Sequence, residues 1–341
     1  MMKINILPTS TPIFSVYNWH SGLQSIILKH PDALPWIYSN YIQIYMNIRP
    51  EITFADFYLN NGLIHTTSCP FIHQNTISRN VIKQLTSFVH FFIECLKSGY
   101  YLYLFVDVSY ISGYSRKNKG FHELFIYGFD VNQEIFIVSD YINGKYTNFT
   151  ATFKEIEDAV ESTVKENFNH LPDVEMWRLK ENSKYDFDLQ NVINELNEFK
   201  NSINSAQRCR NRTTLNPNLS FGLDVYDTVS KHLIQVQEFD RKIDIRPFHL
   251  FYERFKLMCD RIHYMDKKNY ILDAENYFTI YKNFADKLQI ARNLVIKHQI
   301  TNEKSIIPKL QSIIELVKNE EGVVVEKMIK DISSFDDRIM L

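Results

Sequence analysis

Two side chains in this sequence suit proton-transfer chemistry by type and placement: His122 and Asp140. His122 lies in the aromatic and branched run Phe121–Phe129, and Asp140 closes the run Glu134–Asp140. Asp130-Val131-Asn132-Gln133 between them has the polarity and length of a hairpin turn. Folding about residues 131–132 sets His122 roughly opposite Asp140, where directly opposed Cβ atoms sit about 4.5–5.5 Å apart. A carboxylate at that range holds an imidazole in one tautomer and stabilises its cation. The pairing depends on register, because a slip of one residue sends the two side chains to opposite faces.

Other groups carry weaker signals. Cys69, with His65 and His73 nearby, reads as a nucleophile, a metal corner or a plain buried thiol. A metal site needs a third and a fourth ligand, and none stands at a standard spacing, so no metal and no other cofactor is expected. Asp107 ends the strand-like run Tyr100–Val108. It either orients a substrate or the histidine, or it binds a backbone amide or the basic loop Arg116–Lys119 at the strand end. Arg208-Cys209-Arg210-Asn211-Arg212 is the one dense basic cluster, able to hold a phosphate or to form a solvated helix end. There is no Walker loop, GxGxxG or HExxH, which removes the nucleotide and zinc-hydrolase readings.

These groups need elements to position them. The 341 residues suffice for two domains, and 45% apolar content with 25 Phe and 20 Tyr supports a large core. A net charge of −2 supplies no global field for nucleic acid or an anionic membrane. Four cysteines, at 69, 95, 209 and 259, show no framework spacing, which suggests reduced thiols in a cytoplasmic protein. The start MMKINILPTSTPIF does not read as a signal peptide, and no apolar run reaches membrane-spanning length. Residues 1–16 read as extended, and Asn18-Trp19-His20-Ser21 leads into GLQSIILKH, Gly22 to His30, a short helix capped by Asn18 or Ser21. Leu34–Met46 fits helix or strand, Phe54–Ile64 is strand-like, and His65–His73 reads as loop. Arg79–Lys97 carries one apolar stripe, including Cys95, and is expected to be one helix. From Thr152 onward apolar stripes recur at helical spacing, the last two over Ile306–Lys318 and Val323–Ile332. The expected fold is α+β: an α+β domain over 1–150 with a central antiparallel sheet, then a helical domain over 151–341, with 151–188 as linker and docking helix.

The stretch Asp107, Tyr110-Ile111-Ser112-Gly113, His122, Ile126–Asp130, Phe136–Asp140 and Gly144-Lys145-Tyr146 resembles the amino-terminal domain of the butirosin-biosynthesis protein H family. Phe221–Asp227 and Asp244–Ile262 resemble its helical half. The resemblance implies a papain-like cysteine-peptidase fold used for acyl transfer in bacterial secondary metabolism, such as antibiotic and nonribosomal-peptide biosynthesis. Its acyl groups would arrive on acyl or peptidyl carrier proteins and pass to a small-molecule amine or hydroxyl acceptor. His122 would be the general base, oriented by Asp140, with Trp19, His20, Asp107 and Tyr110 as substrate contacts. The same resemblance implies a nucleophilic cysteine at the start of the first helix, but the sequence has Ser21 there, and Ser25 beyond it. Either Ser21 or Cys69 relays the acyl group, or His122 activates the acceptor directly, or the chain is a non-catalytic binding protein whose Ser21 caps a helix.

Overall fold

Runs of β-branched and aromatic residues form the main sheet, where alternate side chains can be buried on the two faces of a pleated surface. The structure, a computed structural model, describes residues 3–49, 53–59, 69–115, 118–142, 144–165, 173–208 and 218–339. In chain order the first elements are β1 (Ile4–Ile6), α1 (Asn18–Ile27), α2 (Ala33–Ser39), β2 (Ile44–Asn47), β3 (Ala55–Phe57), β4 (Ile72–Ile77), α3 (Arg79–Leu85) and α4 (Phe88–Lys97). Then come β5 (Tyr101–Asp107), β6 (Phe121–Asp130), β7 (Ile135–Ile142), β8 (Lys145–Thr152), α5 (Phe153–Lys165), β9 (Val174–Leu179) and α6 (Leu189–Lys200). The chain closes with β10 (Leu219–Phe221), α7 (Asp224–Glu238), α8 (Arg246–Lys267), α9 (Ala274–Thr301) and α10 (Ile306–Ile339). The protein is mixed α+β, with 54% helix, 20% strand and a large antiparallel sheet. Among the described residues no helix is long and apolar enough to cross a membrane.

Contacts divide the chain into two units, Met1–Ala33 with His65–Lys184, and Leu34–Ile64 with Tyr185–Leu341. Residue 150, near which a boundary was expected, lies inside β8 of the first unit.

The first unit is built on an antiparallel sheet of order β4-β9-β5-β6-β7-β8. β1 pairs with Gly128–Asp130 of β6, beyond the part of β6 that β5 covers. Leu102, Leu104, Val106, Leu124, Ile126 and Val138 cover one face and pack with Phe92 and Leu96 of α4 and Ile156 and Val160 of α5. Each such fully buried side chain contributes about 1.5–3 kcal/mol. The other face is aromatic: Tyr101 stacks on Phe125 and Tyr103 on Trp177. α1 lies on this face, and it comes close because residue 22 is glycine. A Cβ there would stand 3.3 Å from the Phe125 ring and 3.4 Å from Trp177.

Several local expectations are corrected. His73 lies in β4, not in a loop, and the supposed linker contains β9, which sits between β4 and β5. VEMWRL alternates too poorly to announce a strand; its two strand neighbours supply the reason it is one. Arg79–Lys97 is two helices. Thr86 is extended, and the Ser87 side chain caps α4 by accepting from His90 N. Leu34–Met46 is helix first and strand later, and the two closing stripes form the single helix α10. Residues 60–64 of the strand-like segment lie outside the described residues.

The second unit combines a small sheet, β10-β2-β3, with α2 and α6–α10. Two buried arginines of α8 hold it. Arg254 Nη1 meets Glu321 Oε1 at 2.6 Å, both side chains fully buried. Arg261 donates to the carbonyls of Tyr38, Asn40 and Tyr41.

Candidate functional site

The site forms where the ladder between β6 and β7 opens. β7 pairs with β6 only from Phe125↔Ser139 toward the turn. The turn is longer than expected: Asp130 Oδ1 accepts from Asn132 N and Gln133 N, and Glu134 takes a left-handed φ of 54°. The first register, Asp130↔Ile135, would leave His122 and Asp140 on opposite faces of the sheet. A bulge at Tyr127, between Ile126 and Gly128, shifts the register by one residue and returns both to the same face. They are diagonal across the opened ladder rather than directly opposed. The expected pair forms through a register that the hairpin length alone does not give.

His122 Nδ1 lies 2.7 Å from Asp140 Oδ2, to which it donates. The Asp140 side chain is wholly buried, whereas 41% of the His122 side chain is exposed. The carboxylate has two further donors. Tyr114 O–H donates to Oδ2, and Tyr141 N donates to Oδ1 at 2.6 Å. Burial opposes the imidazolium, but the hydrogen bond and charge of Asp140, with the charge of Glu123, outweigh it and hold His122 at about 9, above its ordinary 6.5. His122 is therefore mainly a cation at neutral pH. Its Nε2 lies 3.8 Å from Glu123 Oε2. Burial raises the Glu123 carboxyl above its ordinary value, and the adjacent imidazolium pulls the other way. Burial, then the charge and hydrogen bond of Asp140, push the Tyr114 hydroxyl far above its ordinary range, so it remains a donor.

The start of α1 reaches this opening. Asn18 Nδ2 donates to Glu123 O at 2.7 Å, and His122 Nδ1 stands 3.2 Å from the same oxygen. Asn18 is thus not a helix cap. The N-cap is Tyr17, whose side chain makes no capping bond. Ser21 lies in the first turn, fully buried. Its Oγ is 3.2 Å from both Tyr17 O and the Tyr141 hydroxyl. Ser21 makes no hydrogen bond to His122; Tyr141, its partner, is the neighbour of Asp140 in the chain. Ser25 Oγ donates to Ser21 O at 2.7 Å.

Among the described residues, none of the remaining candidates is hydrogen-bonded to the His122–Asp140 pair. Trp19 stacks on Tyr17 at 4.4 Å, and His20 is buried with its ring edge-on to Phe14 at 5.5 Å. Asp107 is buried, and its carboxylate accepts from Ser109 N, Ser109 Oγ, Gly120 N and Ser162 Oγ. Those bonds hold the turn after β5 and leave it no free face for a substrate. Tyr110 is exposed at that turn. Cys69 precedes β4, which lies three strand spacings from β6, about 14 Å across the sheet. It is 4% exposed, and burial pushes its thiol up to about 12, so the relay expected of it is not assembled. His65 and residues 209–212 of the basic cluster lie outside the described residues. Among the described residues no three His, Cys, Asp or Glu side chains converge as metal ligands.

Tyr114 and Glu123 join the site from outside the expected residues. Glu123 carried a signal, an acid inside an apolar strand next to a histidine; Tyr114 carried none. No family model and no curated protein matches this chain.

Proposed function

We propose that this chain is a papain-like acyl-transfer protein of secondary metabolism in which the His122–Asp140 pair works without a covalent acyl-enzyme. The observation that carries the reading is the asymmetry of His122: Nδ1 is tied to a wholly buried carboxylate, while 41% of the side chain remains exposed. A helix packed on an antiparallel sheet, with histidine on one strand and aspartate on the next, supports the papain-like label.

In the reaction, neutral His122 takes a proton from an acceptor amine at Nε2. The amine nitrogen attacks the thioester carbonyl of a carrier-bound acyl group, the C–S bond breaks, and the imidazolium returns the proton to the leaving thiolate. Asp140 keeps the proton on Nδ1 so that Nε2 can act as base. Because the neutral form becomes abundant only toward pH 9, the rate rises with pH up to about 9.

The buried Ser21 and the cationic His122 favour a second reading, a binding protein whose imidazolium holds an anionic group on a carrier-bound intermediate or partner. The deciding experiment is thioester consumption with a panel of acyl thioesters and amines, for wild type, His122→Ala and Ser21→Ala, with intact-protein mass spectrometry. The proposal expects turnover lost in His122→Ala, kept in Ser21→Ala, and no acyl adduct. Unchanged turnover in His122→Ala overturns it. Saturable binding of an acylated carrier without turnover selects the second reading.

A further inference from the structure

The second unit contains a small cavity of about 220 Å³ with mixed polar and apolar walls, Met46 and Ile48 among them, distinct from the His122 site. Its wall comes from the end of β2 and the residues after it, Asn47, Arg49 and Thr53, and from one face of α7. Thr228, Lys231, His232 and Gln235 are spaced three, four and seven residues along that helix, which places them on the same side.

Two cations of this cavity, the Arg49 guanidinium and the Lys231 ammonium, lack an ion pair among the described residues. His232 Nε2 is buried and meets no hydrogen-bond partner among them. The acid near this histidine, Asp244, is already engaged. Its two oxygens accept from Arg246 N and the Arg246 guanidinium, and Thr53 Oγ1 donates to Oδ2. A buried ring nitrogen without a partner costs about 1–3 kcal/mol, and a ligand oxygen would remove that cost.

We infer that this cavity binds a phosphate monoester dianion, with Arg49 and Lys231 neutralising the charge and His232 Nε2–H donating to one oxygen. A guanidinium fork from the segment after β2, with an ammonium and an imidazole N–H from α7, lining one cavity, match a tetrahedral group with several acceptor oxygens better than a planar carboxylate. The volume admits a phosphate and a short ester substituent and lies below that of ordinary drug-sized sites, about 300–1,000 Å³. The inference does not depend on the acyl-transfer reading.

The test is isothermal titration of the full chain with inorganic phosphate at constant low ionic strength, with acetate as comparison, and ¹H–¹⁵N spectra of the histidine rings. Saturable phosphate binding is expected, with the His232 ring signals shifting and acetate binding much more weakly. Arg49→Ala and Lys231→Ala alter exposed side chains, so their folding is not at risk, and each should weaken binding about tenfold. His232→Gln, which retains an N–H donor, should weaken it less than His232→Leu. Absence of saturable binding, equal binding of acetate, or phosphate binding unchanged in Arg49→Ala and Lys231→Ala each overturns the inference.

Discussion

Replacing Asp140 by Asn tests the chemistry of the site most directly. The substitution keeps the size of the side chain and an acceptor oxygen for His122, but removes the charge. In wild type His122 is held at about 9 against an ordinary 6.5, which at full strength corresponds to about 3 kcal/mol. With 41% of the side chain exposed, solvent screening reduces the contribution to stability to about 1–2 kcal/mol. The sign follows from the direction of the shift. A folded-state value above the unfolded one means that the stabilisation is fully present below pH 6.5 and is lost as pH rises through about 9. Wild type should therefore lose about 1–2 kcal/mol between these limits, read as a falling urea midpoint at constant slope. In Asp140→Asn, burial acts against a weaker opposing field, and His122 should titrate well below 9. That part of the decline should then disappear, and His122→Gln should show the same loss of pH dependence. Ring ¹H–¹⁵N spectra report the titration itself. A wild-type His122 titrating at or below 6.5, or an Asp140→Asn titration identical to wild type, refutes the reasoning.

Three further outcomes are expected. Alkylation of the native protein followed by peptide mapping should leave Cys69, Cys95 and Cys259 unmodified until denaturant is added, because burial pushes each thiol up to about 12. Arg254→Met should destabilise by about 3–5 kcal/mol by stranding Glu321 in the core, whereas Arg254→Met with Glu321→Leu should recover most of that loss in urea unfolding. Ser87→Ala should cost about 1 kcal/mol through the lost cap of α4, with hydrogen exchange rising first at His90 N.

Much of the site was legible because the relevant signals are local. The composition of Tyr100–Val108, Phe121–Phe129 and Glu134–Asp140 marks three strands, and the structure has β5, β6 and β7 there. His122 and Asp140 stand out because one is a base and the other an acid at the ends of paired strands. Asn18 and Ser21 both read as caps because a cap is a local role, yet the N-cap is Tyr17. The actual partner of Asn18, Glu123 O, is 105 positions away. β9 is illegible in the sequence for the same reason: its strand character depends on β4 and β5 at its sides rather than on its own alternation.

The sequence by itself therefore determined the central strands, the helical stripes of the second half and the identity of the histidine–carboxylate pair. Only the tertiary structure decided that a bulge at Tyr127 restores the pair to one face, that the ladder opens beyond Phe125, and that Ser21 is bound to Tyr141 rather than to His122. It also decided that Cys69 is sealed beside β4, three strand spacings from β6, and that Arg49, Lys231 and His232 line one cavity. Periodicity and turn composition act over a few residues, so a single chain reveals them. Register, burial and the meeting of distant charges depend on which surfaces pack together, and no local pattern encodes that.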